Sequence, residues 1–297
     1  MKQPKRKPLF TGVATALATP FENGEIDYAA LGQMIEYQIA CGIDGLVLCG
    51  TTGEAATLSE KEYEAVVAFG AQAIGGRVPF LVGCGSPDTA KSAVRAKYAG
   101  KNGADGLLIV TPYYNRGTRL GQIYHYETCA EAGGIPVILY HVPARTGVRL
   151  SADAMARIAK HPLIAGIKEA SGDMELFADL SLRLRDTLAL YTGNDGLLLS
   201  SLAMGGAGSV SVVSNLLPRE TGDVCRAFFA GNTEKAAALQ LRLLPLIRLL
   251  FAEVNPAPLK HALEQMGYCH GELRLPLATV EEDLRAEIDR ELKRLQN

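Results

Sequence analysis

Gly42-Ile-Asp-Gly-Leu46 and Gly103-Ala-Asp-Gly-Leu107 are near copies of each other, and each joins a helical pattern to a short apolar run. A glycine can end a helix in the left-handed conformation. An apolar run that follows at once is the start of a strand. The helical patterns cover 28–40, 60–74 and 89–101, with apolar residues recurring at a period of 3.6. Strand candidates follow at 12–17, 45–49, 80–83, 106–110, 137–140, 164–168, 188–191 and 209–212. Alternation of strand and helix argues for a parallel sheet covered by helices. Eight strands, spaced roughly 25 to 35 residues apart, are the count of a closed (β/α)8 TIM barrel. A doubly wound open sheet is the runner-up. Helix starts are signed too: Ser59 and Ser151 stand as N-caps ahead of acidic first turns. After about Gly231 the alternation stops, and 233–251, 256–266 and 280–296 all read as helices. The expected organisation is therefore a catalytic barrel over 1–231 and a C-terminal helical extension over 232–297, with packing or assembly as its job.

Composition narrows the class. The chain has 297 residues, 48% hydrophobic and 21% charged, enough to bury a large core. Its net charge of -2 gives no electrostatic footprint for nucleic acid. A basic run from Lys2 to Lys7 reads as a tail, because no apolar stretch of a signal peptide follows it. No run approaches about 18 uninterrupted apolar residues, so no membrane span is expected, and the cytoplasm is the expected compartment. The six cysteines form no Cys-x-x-Cys pair and lie in apolar segments, as buried reduced thiols do. Nothing in the scatter of cysteines and histidines suggests a metal site.

In a barrel of this kind the chemistry lies at the C-terminal ends of the strands. Four segments put polar residues there. Ile164-Ala-Gly-Ile-Lys-Glu-Ala-Ser171 ends an apolar strand on Lys168. Burial favours the neutral form of an amine, and a neutral amine attacks ketones; an ion pair with Glu169 is the plainer alternative. Gly50-Thr-Thr-Gly-Glu54 is a tight turn whose N–H groups and hydroxyls could cradle a carboxylate. Ile138-Leu-Tyr-His-Val-Pro-Ala-Arg-Thr-Gly147 places Tyr140 at a strand end and Arg145 on the turn after it. A tyrosine can relay protons and an arginine can grip a carboxylate with two bonds. In Thr111-Pro-Tyr-Tyr-Asn115 the adjacent tyrosines point different ways, so one can face a site and the other an interface. A dinucleotide fingerprint, a P-loop, a His-Glu-x-x-His motif and a nucleophile elbow are all missing from the sequence.

Taken together and in this order, these stretches, with Gly205-Gly-Ala-Gly208 leading into Val210-Ser-Val212, resemble the dihydrodipicolinate synthase/N-acetylneuraminate lyase family over essentially the whole chain. The resemblance implies a lyase of the class I aldolase type that works through a Schiff base. Lys168 would condense with pyruvate. Thr51 and Thr52 would bind its carboxylate. Tyr140, Thr52 or its neighbour Thr51, and Tyr114 would relay protons, Tyr114 from the adjacent subunit. Arg145 would receive the carboxylate of the second substrate, and Gly193 and Val210 would line the pyruvate pocket. Arg145 and the Thr51-Thr52 pair favour L-aspartate-4-semialdehyde as that substrate, on the diaminopimelate route to lysine. The alternative is another pyruvate-dependent aldolase of the family, such as an N-acetylneuraminate lyase or a keto-sugar-acid aldolase. The resemblance also implies that no metal or organic cofactor is needed and that the chain assembles with itself, as a tetramer built from two dimers.

Two departures stand out. His141 occupies a position where asparagine is usual, and alternation along the strand should turn it away from Tyr140. At the positions where lysine-inhibited relatives bind lysine, this chain carries Tyr63, Pro87 and Lys91. A cation at Lys91 would repel an incoming ammonium, so weak or absent feedback inhibition is expected.

Overall fold

The computed structural model describes residues 6–296. Eight parallel strands close into a barrel: β1 Gly12–Ala16, β2 Gly45–Leu48, β3 Phe80–Gly83, β4 Gly106–Val110, β5 Val137–His141, β6 Ile164–Glu169, β7 Ala189–Thr192 and β8 Gly208–Ser211. Each pairs with its sequence neighbours, and β1 closes the ring by pairing with β8. This closure excludes the open sheet. A Cβ on Gly208 would lie 1.7 Å from the carbonyl oxygen of Gly12, so only glycine lets the first and last strands meet here.

Outside the barrel run α1 Tyr28–Ala40, α2 Glu60–Ile74, α3 Thr89–Lys101, α4 Arg119–Gly133, α5 Pro143–Thr146, α6 Ala152–Ile158, α7 Met174–Leu184, α8 Leu198–Ala203 and α9 Pro218–Phe229. Gly42 and Gly103 have φ of 77° and 90°, as junctions after α1 and α3 require. Ser59 makes a full capping box with Glu62, and Ser151 caps α6.

Two apolar clusters divide the core. The inner one fills the barrel with Ala14, Val47, Leu81, Ile138, Tyr191 and Val210 among others. The outer one lies between strands and helices, and it continues into the C-terminal helices α10 Thr233–Leu250, α11 Ala257–Gln265 and α12 Glu282–Gln296 through Leu246, Leu259 and Ile288. The apolar core thus runs across residue 231.

The sequence pattern misplaced a few ends. Phe251, Pro256 and Met266 are caps of α10 and α11 rather than helical residues, and α12 starts at Glu282. Residues 2–5 of the basic run lie outside the described residues, but Arg6 is no loose tail. Its backbone N–H donates to Thr187 and its guanidinium to Ala159 and Ile164. The six cysteines are free; four are buried, while Cys41 and Cys269 are half-buried.

Candidate active site

Strand register brings the centre of the site together. Lys168 on β6 pairs with Tyr140 on β5 and with Tyr191 on β7, so three inward-facing side chains share one level of the barrel. Lys168 Nζ lies 4.1 Å from the centre of the Tyr140 ring. Lys168 is 5% exposed and Tyr140 6%. Glu169, one residue on, faces the other way, and its carboxylate accepts from His141 Nδ1 at 2.9 Å and from the Ser171 N–H. The ion pair with Lys168 that the sequence allowed is not made.

His141 is completely buried. The Leu150 N–H donates to His141 Nε2 at 3.0 Å, so Nε2 carries no proton and Nδ1 donates to Glu169. The substitution for asparagine therefore changes a packed hydrogen-bond network behind Lys168 and leaves the cavity face to Tyr140 and Lys168.

A cavity of about 920 Å³ opens above this level, lined by Thr51, Thr52, Tyr140, Arg145, Lys168 and Gly193 together with Ala16, Val212 and Asn255. Thr51 and Thr52 stand in the turn after β2. That turn is held by Glu54 N–H donating to Thr51 O, and Cys49 and Glu54 adopt φ of 55° and 51°. A left-handed conformation at residues other than glycine costs about 1 kcal/mol each. Glu54 is pinned there from behind: its carboxylate meets the Lys260 ammonium at 2.6 Å and accepts from the Arg274 N–H. Both partners come from the C-terminal helical region. Burial pulls the Lys260 ammonium below its ordinary range, and the Glu54 carboxylate works against that pull.

Arg145 sits on α5, a single helical turn rather than an open turn, and its Nη2 donates to the Asn255 carbonyl at 3.0 Å. Gly193 follows β7; a Cβ there would lie 2.6 Å from Cε of Lys168. Asp195 is buried beside them and accepts from the Val212 and Val213 N–H groups, tying β7 to β8; burial raises its carboxyl above the usual range.

Not every expected residue is here. Val210 is fully buried in the inner cluster, one layer below the cavity, and Val212 stands at the wall instead. Tyr114 is 93% exposed with φ of 65°, so the chain does not bring it into its own site. Tyr113 is the member of the pair that turns inward, towards an adjoining cavity of about 300 Å³. Thr52 Oγ1 is engaged by Asn255 Nδ2 at 3.0 Å. Tyr63 is fully buried with its hydroxyl 3.2 Å from Cys84 Sγ, and the Lys91 ammonium is paired with Glu60.

The model of the Dihydrodipicolinate synthetase family matches residues 9–295 of the chain. The chain belongs to this family. A relative named 4-hydroxy-tetrahydrodipicolinate synthase from Syntrophus aciditrophicus is 44% identical over 282 residues, covering 95% of this chain and 97% of that one. Another of the same name, from Thermotoga neapolitana, is 43% identical and covers 92% of this chain and 95% of its own length. Among solved structures, dihydrodipicolinate synthase from Thermotoga maritima superposes with a TM-score of 0.94 at 38% identity, covering 96% of this chain and 98% of that one. The enzyme from Aquifex aeolicus gives 0.95 at 36%, covering 97% and 98%.

Against this family background, Asn255 and the Glu54–Lys260 pair are the site features that sequence reading missed. Asn255 stands in a short connection between two helices, 203 positions from Thr52. Glu54 is buried, and a buried carboxylate needs a cation beside it, but its burial is not readable from Gly50-Thr-Thr-Gly-Glu54.

Proposed function

We propose that this chain condenses pyruvate with L-aspartate-4-semialdehyde, the reaction of a 4-hydroxy-tetrahydrodipicolinate synthase. The observation that carries the reading is Lys168: a lysine amine over the ring of Tyr140, inside a cavity that Thr51, Thr52 and Arg145 also line. The relatives' shared name supports the same reaction.

The Lys168 amine attacks C2 of pyruvate, and the carbinolamine loses water to give an imine. The imine draws electrons from C3, so a C3 proton becomes removable and an enamine forms. The enamine C3 attacks the aldehyde carbon of the second substrate, whose oxygen takes up a proton. The substrate's own amine then attacks the imine carbon, the C–N bond to Lys168 breaks, and the ring closes as the lysine leaves. The imine is the electron sink throughout, so the reading requires no metal or organic cofactor. Thr51 and Thr52 hold the pyruvate carboxylate, Tyr140 and Thr52 pass protons, and Arg145 takes the carboxylate of the semialdehyde. Gly193 leaves Lys168 room to swing.

Tyr114 completes the relay from a neighbouring subunit. Its exposure and its left-handed backbone support a role outside its own chain, since an outlier of this kind marks a position held for contact or function. The proposed assembly is a dimer at least, and a dimer of dimers in full. One similar structure, with a TM-score of 0.94 and 39% identity, is described as a monomeric dihydrodipicolinate synthase variant, so assembly differs among such proteins. No helix among the described residues is long and apolar enough to cross a membrane. The cytoplasm is the proposed compartment.

Borohydride reduction in the presence of pyruvate, followed by peptide mass mapping, tests the reading. A pyruvyl adduct on Lys168 is the expected result. An adduct on another lysine, or none, overturns it. Lys168→Ala should abolish adduct and turnover while keeping the fold.

A further inference from the structure

Behind the turn that carries Thr51 and Thr52 lies a pair of opposite charges sealed from solvent. Lys260 on α11 is fully buried, Glu54 is 4% exposed, and Lys260 Nζ stands 2.6 Å from Glu54 Oε1. Lys260 also donates to the Glu272 carbonyl at 2.7 Å, and its Nζ lies 4.1 Å from the centre of the Phe21 ring. The Arg274 guanidinium stands 4.3 Å from the same ring, and the Arg274 N–H donates to Glu54 Oε2 at 3.1 Å. We propose that Glu54 and Lys260 are positioning residues for pyruvate: through them the C-terminal helices set where the Thr51-Thr52 turn meets the substrate carboxylate. The proposal rests on the reaction assigned above.

The turn needs a hold from outside. Cys49 before it and Glu54 at its end are both left-handed, and such a backbone persists only where the surroundings over-determine it. The Thr19 hydroxyl donates to the Gly53 carbonyl at 2.8 Å, and Glu54 is the only charged side chain of Gly50-Thr-Thr-Gly-Glu54. For stability alone, two well-packed apolar side chains serve a buried site as well as an ion pair does, or better. What the pair adds is direction, because a charge-assisted bond is short and aligned. Lys260 is itself fixed by the Glu272 carbonyl and the Phe21 ring, so it anchors the turn instead of following it. Recognition of a carboxylate depends on where the donors stand, and a misplacement near 1 Å costs on the order of 100-fold.

The test compares two ketones. Borohydride trapping on Lys168 is followed with pyruvate and with acetone, which has no carboxylate to be recognised. In the double variant Glu54→Gln/Lys260→Met both buried charges go while the volume stays, so the fold should stand. The pyruvate concentration that half-saturates trapping should rise about 10- to 100-fold, while trapping of acetone stays within about threefold of native. KM for the semialdehyde should also stay within about threefold, because Arg145 keeps its anchor on the Asn255 carbonyl. Glu54→Asp is the second variant: the charge remains and only its reach changes, so this protein should fold even where the double variant does not, and it should lose preference for pyruvate too. A merely structural pair would weaken the fold and lower trapping of both ketones alike. A folded variant with the native preference for pyruvate over acetone therefore overturns the proposal. A native protein that gives no adduct on Lys168 sinks the assigned reaction, and this proposal with it.

Discussion

Gly193 occupies its position because Lys168 fills the space a side chain would need. A Cβ on Gly193 would sit 2.6 Å from Lys168 Cε and 2.7 Å from the Ala170 Cβ, closer than packed carbons approach. Gly193→Ala should therefore push the amine off its place over Tyr140. The backbone there needs no positive φ, so the fold should survive. Trapping of pyruvate on Lys168 should slow by about 100-fold, the scale of a displacement near 1 Å, while overpacking against Ala170 lowers stability by about 1–3 kcal/mol without unfolding the protein. Single-turnover trapping kinetics together with a thermal melt provide the check; unchanged trapping would show that Lys168 has another way to reach the ketone.

Arg145 should matter to one substrate only. Its guanidinium reaches the cavity from α5 and is anchored by the Asn255 carbonyl. A hydrogen bond to a charged group contributes about 1.5–3 kcal/mol, so Arg145→Ala should lower kcat/KM for L-aspartate-4-semialdehyde by roughly 10- to 150-fold. Arg145→Lys keeps the charge but loses the fork, and should fall between. Pyruvate adduct formation should be untouched in both. Equal losses for the two substrates would place Arg145 elsewhere in the mechanism.

The barrel was legible because its signals are local. Junction glycines, capping serines, short apolar runs and period-3.6 patterns each act within a few residues, and α1, α2 and α3 fall on the expected positions. The site was legible where a residue's role follows from standing at a strand end, as with Lys168 and Tyr140. Depth was not: the family resemblance put Val210 at the pocket wall, whereas it is packed in the inner cluster and Val212 lines the cavity. Asn255 was invisible because its meaning is a contact with Thr52, and nothing in the local sequence encodes a partner that distant. Tyr114 followed from the family pattern alone, since its own chain leaves it in solvent.

Lysine should be a poor inhibitor. Tyr63 is sealed inside the core, with Arg95 over its ring, and neither Pro87 nor Lys91 lines the cavity that holds Tyr113. Lys91 brings a positive charge, partly offset by Glu60. Initial rates at low-millimolar lysine should match those without it, and a saturable loss of activity would contradict this.

Acid should weaken the protein through His125. This α4 side chain is 1% exposed, is paired with Thr89 through Nδ1 at 3.0 Å and leaves Nε2 without a partner. Burial lowers its pKa from 6.5 to about 4, against the pull of Asp88. The unfolded chain takes up the proton first, so this contribution to stability is whole above pH 6.5 and is lost as pH falls towards 4. The full loss is about 3 kcal/mol. Urea midpoints at pH 7 and pH 4.5 should separate widely for the native protein and less for His125→Gln. Equal separation would assign the acid sensitivity to other groups.

The assembly prediction has the sharpest readout. If Tyr114 serves the neighbour's site, Lys168→Ala and Tyr114→Phe remove different halves of one centre. Each variant alone should be nearly inactive. In a mixed dimer, the subunit that keeps Lys168 receives Tyr114 from the Lys168→Ala copy, and that site is whole. The other site lacks both groups. Refolding the two variants together should therefore restore activity, up to about a quarter of native if subunits pair at random, since half the dimers are mixed and each has one good site. Without a tyrosine crossing between subunits, mixing would only average two poor enzymes. Recovery on co-refolding, absent when the separately folded variants are merely combined, is the result that places Tyr114 in the neighbour's active site.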